Sequence, residues 1–315
     1  MTRFFLITSL LITSHLFAQN GTLSPYSFYG LGESLFSGTA DQRSMGGLVA
    51  HVDSIHHNVS SPASLAELKL VNYNIGANYS RRDFISDANS SKNETAGIDY
   101  MTVAIPTKYF GFGFGLLPKT AVGYRLSVSE EINGLSSNSN YEGNGGINQV
   151  FFSLGFSPLK NLGIGASIHY NFGSIFRVHT RQDDGIDLLS QLNNESELRG
   201  VEWNLSSYYK IHFSNRLQMQ LHYAYQPKAN LKSFNVRSIS TFTSLGEQRD
   251  TQKVNLSFEG LDETRSELPA KQTIGGGIGE LKKWYIGGQW TETDGSIDNE
   301  FYAVGSCLLY TSDAA

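Results

Sequence analysis

Long runs in which apolar and polar residues alternate constrain this 315-residue chain more than any other feature. Residues 71–80, 162–172 and 217–226 are examples, with an apolar or aromatic residue at every second position. Successive side chains of a β-strand point to opposite faces, so each run predicts a strand with one apolar and one polar face. An ordinary strand has about 5–6 residues, whereas a tilted membrane-spanning strand needs about 9–11. The lengths of these runs therefore favour strands that span a membrane.

The connections between the runs differ in length. Short turns on one side and long loops on the other are typical of outer-membrane β-barrels. A soluble β-sandwich is the alternative, but its strands would be shorter and its outer face more charged. We count about 12 strand-like runs, the last near residues 301–305. The sequence predicts short turns at 157–161, 212–216 and 280–283, and long polar loops at 81–95, 130–146 and 178–200.

Composition agrees with an all-β transmembrane antiparallel β-barrel. Charged residues make up 17% of the chain, below the roughly 25% of soluble domains, while the mean hydropathy of −0.25 excludes a helical membrane protein. The formal net charge is −5 with no basic face, so we do not expect nucleic acid as a partner. The one cysteine, Cys307, allows no intramolecular disulfide.

The first 18 residues have the pattern of a secretory signal peptide. Arg3 precedes an apolar stretch over residues 4–12, and Ala18 offers a small residue at the cleavage point. An uncleaved anchor is the alternative, but the stretch is shorter than the roughly 18–20 residues of a spanning helix. We therefore predict export, cleavage after Ala18 and a location in the bacterial outer membrane.

Residues 19–66 lack the alternation and are predicted to form an N-terminal hatch or plug, followed by the barrel over residues 67–305. A flexible leader is the alternative, but a solvated linker would not need so much apolar surface. That surface is also the predicted ligand-binding set, and it consists of Phe28, Tyr29, Leu31, Leu35 and Phe36.

Several short motifs in this segment resemble the mature N-terminus of FadL-like outer-membrane transport proteins. Ser61 stands where that family's Asn-Pro-Ala motif has asparagine. Glycine-rich residues 142–149 and the Leu-Pro-Ala-Lys stretch at 268–271 are also similar. The residues that carry the N-terminal resemblance are Pro25, Gly30, Gly32, Met45, Gly46, Gly47, Pro62 and Ala63.

The resemblance implies a complete barrel of about 14 strands with its lumen plugged by the hatch. It also implies passive uptake of hydrophobic compounds such as long-chain fatty acids, with exit sideways into the membrane and no cofactor. The partners expected are these small molecules, outer-membrane lipid and the barrel assembly machinery. The alternative function is a non-transporting barrel that acts as a scaffold in a secretion or surface-attachment complex.

We find no catalytic or metal-binding pattern, and the chain is not predicted to be an enzyme. His56 and His57 are adjacent and lack a completing carboxylate or thiolate set. Residues 183–187 lack a full calcium-loop pattern, and residues 275–279 lack the lysine and helix of a phosphate loop. Residues 306–315 do not continue the strand pattern, so we expect a non-native tail in place of a missing C-terminal portion.

Overall fold

The computed structural model describes residues 22–85, 90–132, 135–214, 216–243, 245–280, 283–294 and 300–308, the last range by its backbone alone. The predicted signal peptide and residues 309–315 of the predicted tail lie outside the described residues. So does the predicted cleavage point at Ala18.

The described residues form one antiparallel sheet of 14 strands, which confirms the predicted all-β fold. Neighbouring strands follow the order β14-β13-β12-β8-β7-β6-β5-β4-β3-β2, while β9 joins β7 to β10 and β11, and β1 pairs with β4. The strands are β1 Glu33–Ser34, β2 Asn72–Ile85, β3 Ser90–Pro106, β4 Phe110–Ile132, β5 Leu135–Leu159, β6 Leu162–Asp183, β7 Leu188–His212, β8 Leu217–Gln226, β9 Ala229–Thr243, β10 Gln248–Val254, β11 Glu263–Leu268, β12 Lys271–Glu280, β13 Trp284–Thr293 and β14 Glu300–Leu308.

Helices are short in the described part of the chain. They comprise helix α1, Ala40–Ser44, and the 3₁₀ helices Pro25–Phe28, Pro62–Ala66 and Leu256–Glu259. None of the described helices is long and apolar enough to cross a membrane.

The prediction of three long polar loops is wrong, because strands continue through most of residues 81–95, 130–146 and 178–200. Polar side chains hold these strand ends together. The Ser127 hydroxyl donates to Asn140 Oδ1 and the Ser129 hydroxyl to Asn138 Oδ1, each over 2.6 Å. Cross-strand hydrogen bonds of this kind stabilise a sheet whose faces both meet water. The predicted short turns at the opposite strand ends are confirmed, since β5, β7 and β12 each reach the next strand within a few residues.

Two prolines divide long strands and raise the strand number above the roughly 12 runs counted in the sequence. Pro227 separates β8 from β9, and Pro269 separates β11 from β12. Proline has no backbone N–H to donate to a neighbouring strand, so the ladder is interrupted there. Strands β8 and β9 both pair with the same edge of β7. The pairing with β9 ends at Arg199 and the pairing with β8 begins at Leu205, so residues 200–204 have no strand partner on that edge among the described residues.

The two faces of the sheet differ as the alternation predicts. Phe152, Ile168 and Trp203 lie on the outer face with 48%, 37% and 51% of their surface exposed. The residues next to them along the chain, such as Ser153 and Ser167, are buried on the inner face. A soluble protein buries its apolar face, and this sheet has the opposite arrangement.

The strands at the two ends of the sheet order are β2 and β14. No hydrogen-bonded pairing between them is seen in the part of the chain that the structure describes. Strand β14 runs to Leu308, three residues past the predicted last run, and pairs with β13 along its length.

Candidate functional site: the N-terminal segment and its cavity

Residues 22–71, here called the N-terminal segment, lie against the inner face of the sheet. At one end Phe28 and Leu31 pack on a buried apolar cluster that includes Tyr124 and Ile147. At the other end the 3₁₀ helix Pro62–Ala66 contacts β3, β4, β5, β6 and β7. Because the segment touches strands from β3 to β13, the sheet curves around it.

Inward-facing polar side chains fix the backbone of this segment. The Gln220 side chain forms two hydrogen bonds with Val52: its amide oxygen accepts from the Val52 N–H over 2.8 Å, and its amide nitrogen donates to the Val52 carbonyl over 2.9 Å. The backbone N–H of Ala63 donates to the Ser206 hydroxyl over 2.8 Å. The backbone N–H of Val49 likewise donates to the amide oxygen of Gln289. Hydrogen bonds between side chains also join Ser61 to His222 and Glu67 to Tyr208.

A glycine permits the close approach of the segment to β6. A Cβ atom placed on Gly165 would lie 2.3 Å from the backbone nitrogen of Ala63, far inside van der Waals contact. Glycine within a strand often marks such an approach of another backbone. The absence of a side chain at Gly165 therefore leaves room on the inner face for the backbone of the segment.

A cavity of about 650 Å³ lies between the N-terminal segment and the inner face of the sheet. Its apolar wall includes Leu35, Phe36 and Leu268. The segment and strands β4 to β8, β12 and β13 also contribute amides, hydroxyls and charged groups to the lining. Because Val59, Leu117 and Ala224 line it too, the cavity surface is more apolar than polar and carries polar and charged groups at separate positions.

A hydrogen-bonded charge cluster lies in the cavity wall. The Lys119 ammonium group forms an ion pair with Glu202. The same Glu202 oxygen accepts hydrogen bonds from the amide of Asn171 over 2.6 Å and from that of Gln149 over 3.2 Å. Both members of the ion pair are mostly buried, with 22% and 17% of their side chains exposed. One oxygen of this carboxylate therefore accepts from donors on three different strands.

The structure separates the five residues predicted to bind ligand. Phe28 and Leu31 pack on the apolar cluster near Tyr124. Tyr29 is exposed, and only Leu35 and Phe36 border the cavity. The binding role of the five residues stays a prediction.

The motif residues of the segment occupy its turns and helix ends. Gly32 has a positive φ of 95°, and a Cβ atom there would lie 2.5 Å from the carbonyl oxygen of Ala121, so glycine is required. Gly30, Gly46 and Gly47 also have positive φ, Pro25 and Pro62 begin 3₁₀ helices, and Met45 and Ala63 are buried.

An acid–histidine pair lies at the surface of the segment. Nδ1 of His56 is 2.5 Å from a carboxylate oxygen of Asp53. Burial alone would raise the pKa of Asp53, but hydrogen bonds from His56 and from the Ile55 backbone hold that pKa at about 2. The bond to Asp53 raises the pKa of His56, whereas burial lowers the pKa of the neighbouring His57 to about 4. Among the described residues no group suited to a metal ion is present.

His56 is expected to stabilise the folded chain at acidic pH and to lose this effect at alkaline pH. Because its pKa is raised on folding, the stabilisation is complete below the unfolded value of 6.5 and disappears as pH rises through the folded pKa. Asp53 contributes above its unfolded pKa of 3.8 and loses its contribution as pH falls through about 2. The difference in thermal unfolding midpoint between wild type and His56→Gln should be larger at pH 5 than at pH 9. An equal difference at both values would contradict this.

Comparison with known protein families supplies an identification. The family model described as BamG matches residues 1–313. The chain belongs to the BamG family. Neither a curated protein nor a solved structure matches it. An all-β fold in a BamG-family chain is consistent with the outer membrane, and the resemblance to FadL-like proteins stays a prediction.

The sequence did not reveal which residues join the N-terminal segment of this BamG-family chain to the inner face of the sheet. The alternation in residues 162–172 and 217–226 puts His169 and His222 on the polar face of the sheet, and both are buried there. It did not identify Gln220 or Glu202 as partners of distant residues. A local signal was the series of long polar residues Gln218, Gln220 and His222 on one face of β8, where a water-filled lumen would need no particular residue type.

Proposed function

We propose that this BamG-family chain is an outer-membrane β-barrel with a fixed internal plug, and that it acts as a non-transporting structural component of a complex. The observation that carries the proposal is the set of buried hydrogen bonds between the N-terminal segment and the inner face of the sheet. Moving the segment aside would leave these backbone groups unpaired, at about 1–3 kcal/mol each. Passage of a solute through the barrel would require the segment to move, so these hydrogen bonds favour a structural role over transport.

The outer face supports a membrane location. Apolar side chains such as Ile75, Ile274 and Ile286 are at least half exposed on it, at 73%, 50% and 57%. In water a continuous apolar surface of this kind favours aggregation, whereas lipid covers it. Because lipid offers no hydrogen bonds to an open sheet edge, the proposal includes closure of the sheet between β2 and β14.

The sequence indicates no basic face, but the fold places three exposed lysines on the face formed by the short turns, and these suit a partner of acidic character. Lys69, Lys108 and Lys160 are exposed on this face, and Tyr109 and Leu159 beside them are 70% and 63% exposed. The name BamG loosely relates the family to the barrel assembly machinery. We therefore propose that machinery as the complex in which the chain acts.

Locking the plug tests this function directly. A Cβ atom on Gly275 would lie 2.9 Å from that of Ala50, so cysteines at both positions need only a small outward shift to form a disulfide. In a Cys307→Ser background, the oxidised Ala50→Cys, Gly275→Cys variant should co-purify with barrel assembly components as wild type does. Co-purification should fall for Lys108→Glu, Lys160→Glu and persist for the control Lys232→Glu. Loss of co-purification on locking, or no co-purification of wild type, would refute the proposal.

Passive uptake of hydrophobic compounds such as long-chain fatty acids is the second candidate. It is favoured by the contact of Leu35 and Phe36 with the cavity and by the unpaired stretch of β7 beside it. Uptake of labelled fatty acid by cells lacking their own transporter should then rise with expression, and fall both for Phe36→Asp and for the locked variant. Uptake that is unchanged by expression would exclude this candidate.

A further inference from the structure

The charges that line the cavity do not balance. Its wall contains the cations Arg43, Lys119 and Lys271 and the carboxylate Glu202. Arg43 forms an ion pair of 3.0 Å with Asp99, and Lys119 pairs with Glu202. No carboxylate among the described side chains lies within ion-pair distance of Lys271.

Lys271 is held in a position to bind a guest. It is the first residue of β12 and shares the inner face with Thr273, which is buried. Its side chain is exposed to the cavity, whose wall also contains Lys119 and Glu202. Because the side chain is exposed, water solvates its ammonium group when the cavity is empty. An anion that enters the cavity can replace this water and pair with the charge.

We propose that this cavity binds a hydrophilic organic monoanion, with its carboxylate on the Lys271 ammonium group. A single uncompensated positive charge matches one negative charge, whereas a dianion would place excess negative charge beside Glu202. Neutral polar side chains lie near the position: Gln226 and Thr293 are the strand partners of Lys271, and Thr291 lies on the neighbouring strand. These amides and hydroxyls suit hydroxyl or amide groups on the guest. The inference goes beyond the structural role proposed above and does not depend on it.

Titration calorimetry of the full chain in detergent tests the site, with gluconate as the probe and sorbitol as its uncharged counterpart. Gluconate should bind and sorbitol should not. Lys271→Gln should weaken gluconate binding at least tenfold, Lys271→Arg should retain it, and the control Lys283→Gln, which removes an exposed turn lysine, should bind as wild type does. Retention by the arginine variant separates loss of charge from misfolding.

Three outcomes would overturn the proposal. The first is no gluconate binding by the wild-type chain. The second is equal binding of gluconate and sorbitol, which would show that charge is not recognised. The third is binding of octanoate with none of gluconate, which would identify the guest as an amphiphile and favour the uptake candidate instead.

Discussion

Replacing Glu202 with methionine is expected to lower the free energy of unfolding by about 3 kcal/mol, because it leaves a mostly buried cation without its partner. Glu202 accepts from Lys119, Gln149 and Asn171, so its loss also removes the acceptor of two amides. The 22% exposure of the Lys119 side chain permits some hydration, which places the effect at the lower end of the range for buried pairs. Urea unfolding of the purified protein in lipid vesicles would measure it.

A matched control lies on the same strand. Glu197 forms an ion pair of 3.2 Å with Arg199, but its side chain is 57% exposed. Exposed pairs contribute about 0–1 kcal/mol, so Glu197→Met should have little effect. Adding Lys119→Met to Glu202→Met should restore part of the lost stability, since no unpaired charge then remains between these two positions. Equal effects of Glu202→Met and Glu197→Met would show that the cavity screens charge as bulk water does.

The sequence predicts those parts of the fold that depend on residues close together in the chain. Period two is a local property, so it identified the strands around Phe152, Ile168 and Trp203 and the face that each side chain occupies. It failed at residues 130–146, where serine and asparagine on both faces resemble a loop in composition. There the cross-strand bonds of Ser127 and Ser129 stabilise strands that no local pattern predicts.

The candidate site was predicted less well, because its contacts join distant parts of the chain. Apolar residues in the N-terminal segment indicated burial, and Leu31 and Phe28 do pack against strands. The partner of Val52, however, is 168 positions away in the sequence. The identity of a polar residue on the inner face of a strand does not predict which distant backbone group it will bind.

Replacing Gln220 with alanine should loosen the plug. The side chain is fully buried and bonds both polar groups of the Val52 backbone, much as a neighbouring strand would. Alanine leaves that N–H and carbonyl unpaired, at about 1–3 kcal/mol for each. Hydrogen exchange should therefore speed up at Val52 and its neighbours while the strands on either side of β8 keep their protection.

The control is Gln248→Ala, which truncates an exposed glutamine on β10 and should leave exchange in the N-terminal segment unchanged. If Gln220→Ala speeds exchange throughout the sheet, the segment is an integral part of the fold and cannot move separately. If exchange at Val52 is already fast in the wild-type chain, the bonds of Gln220 do not fix the segment, and a mobile plug of the kind that uptake requires becomes the better interpretation. Local loosening alone is the result expected of a plug fastened by individual hydrogen bonds inside a stable sheet.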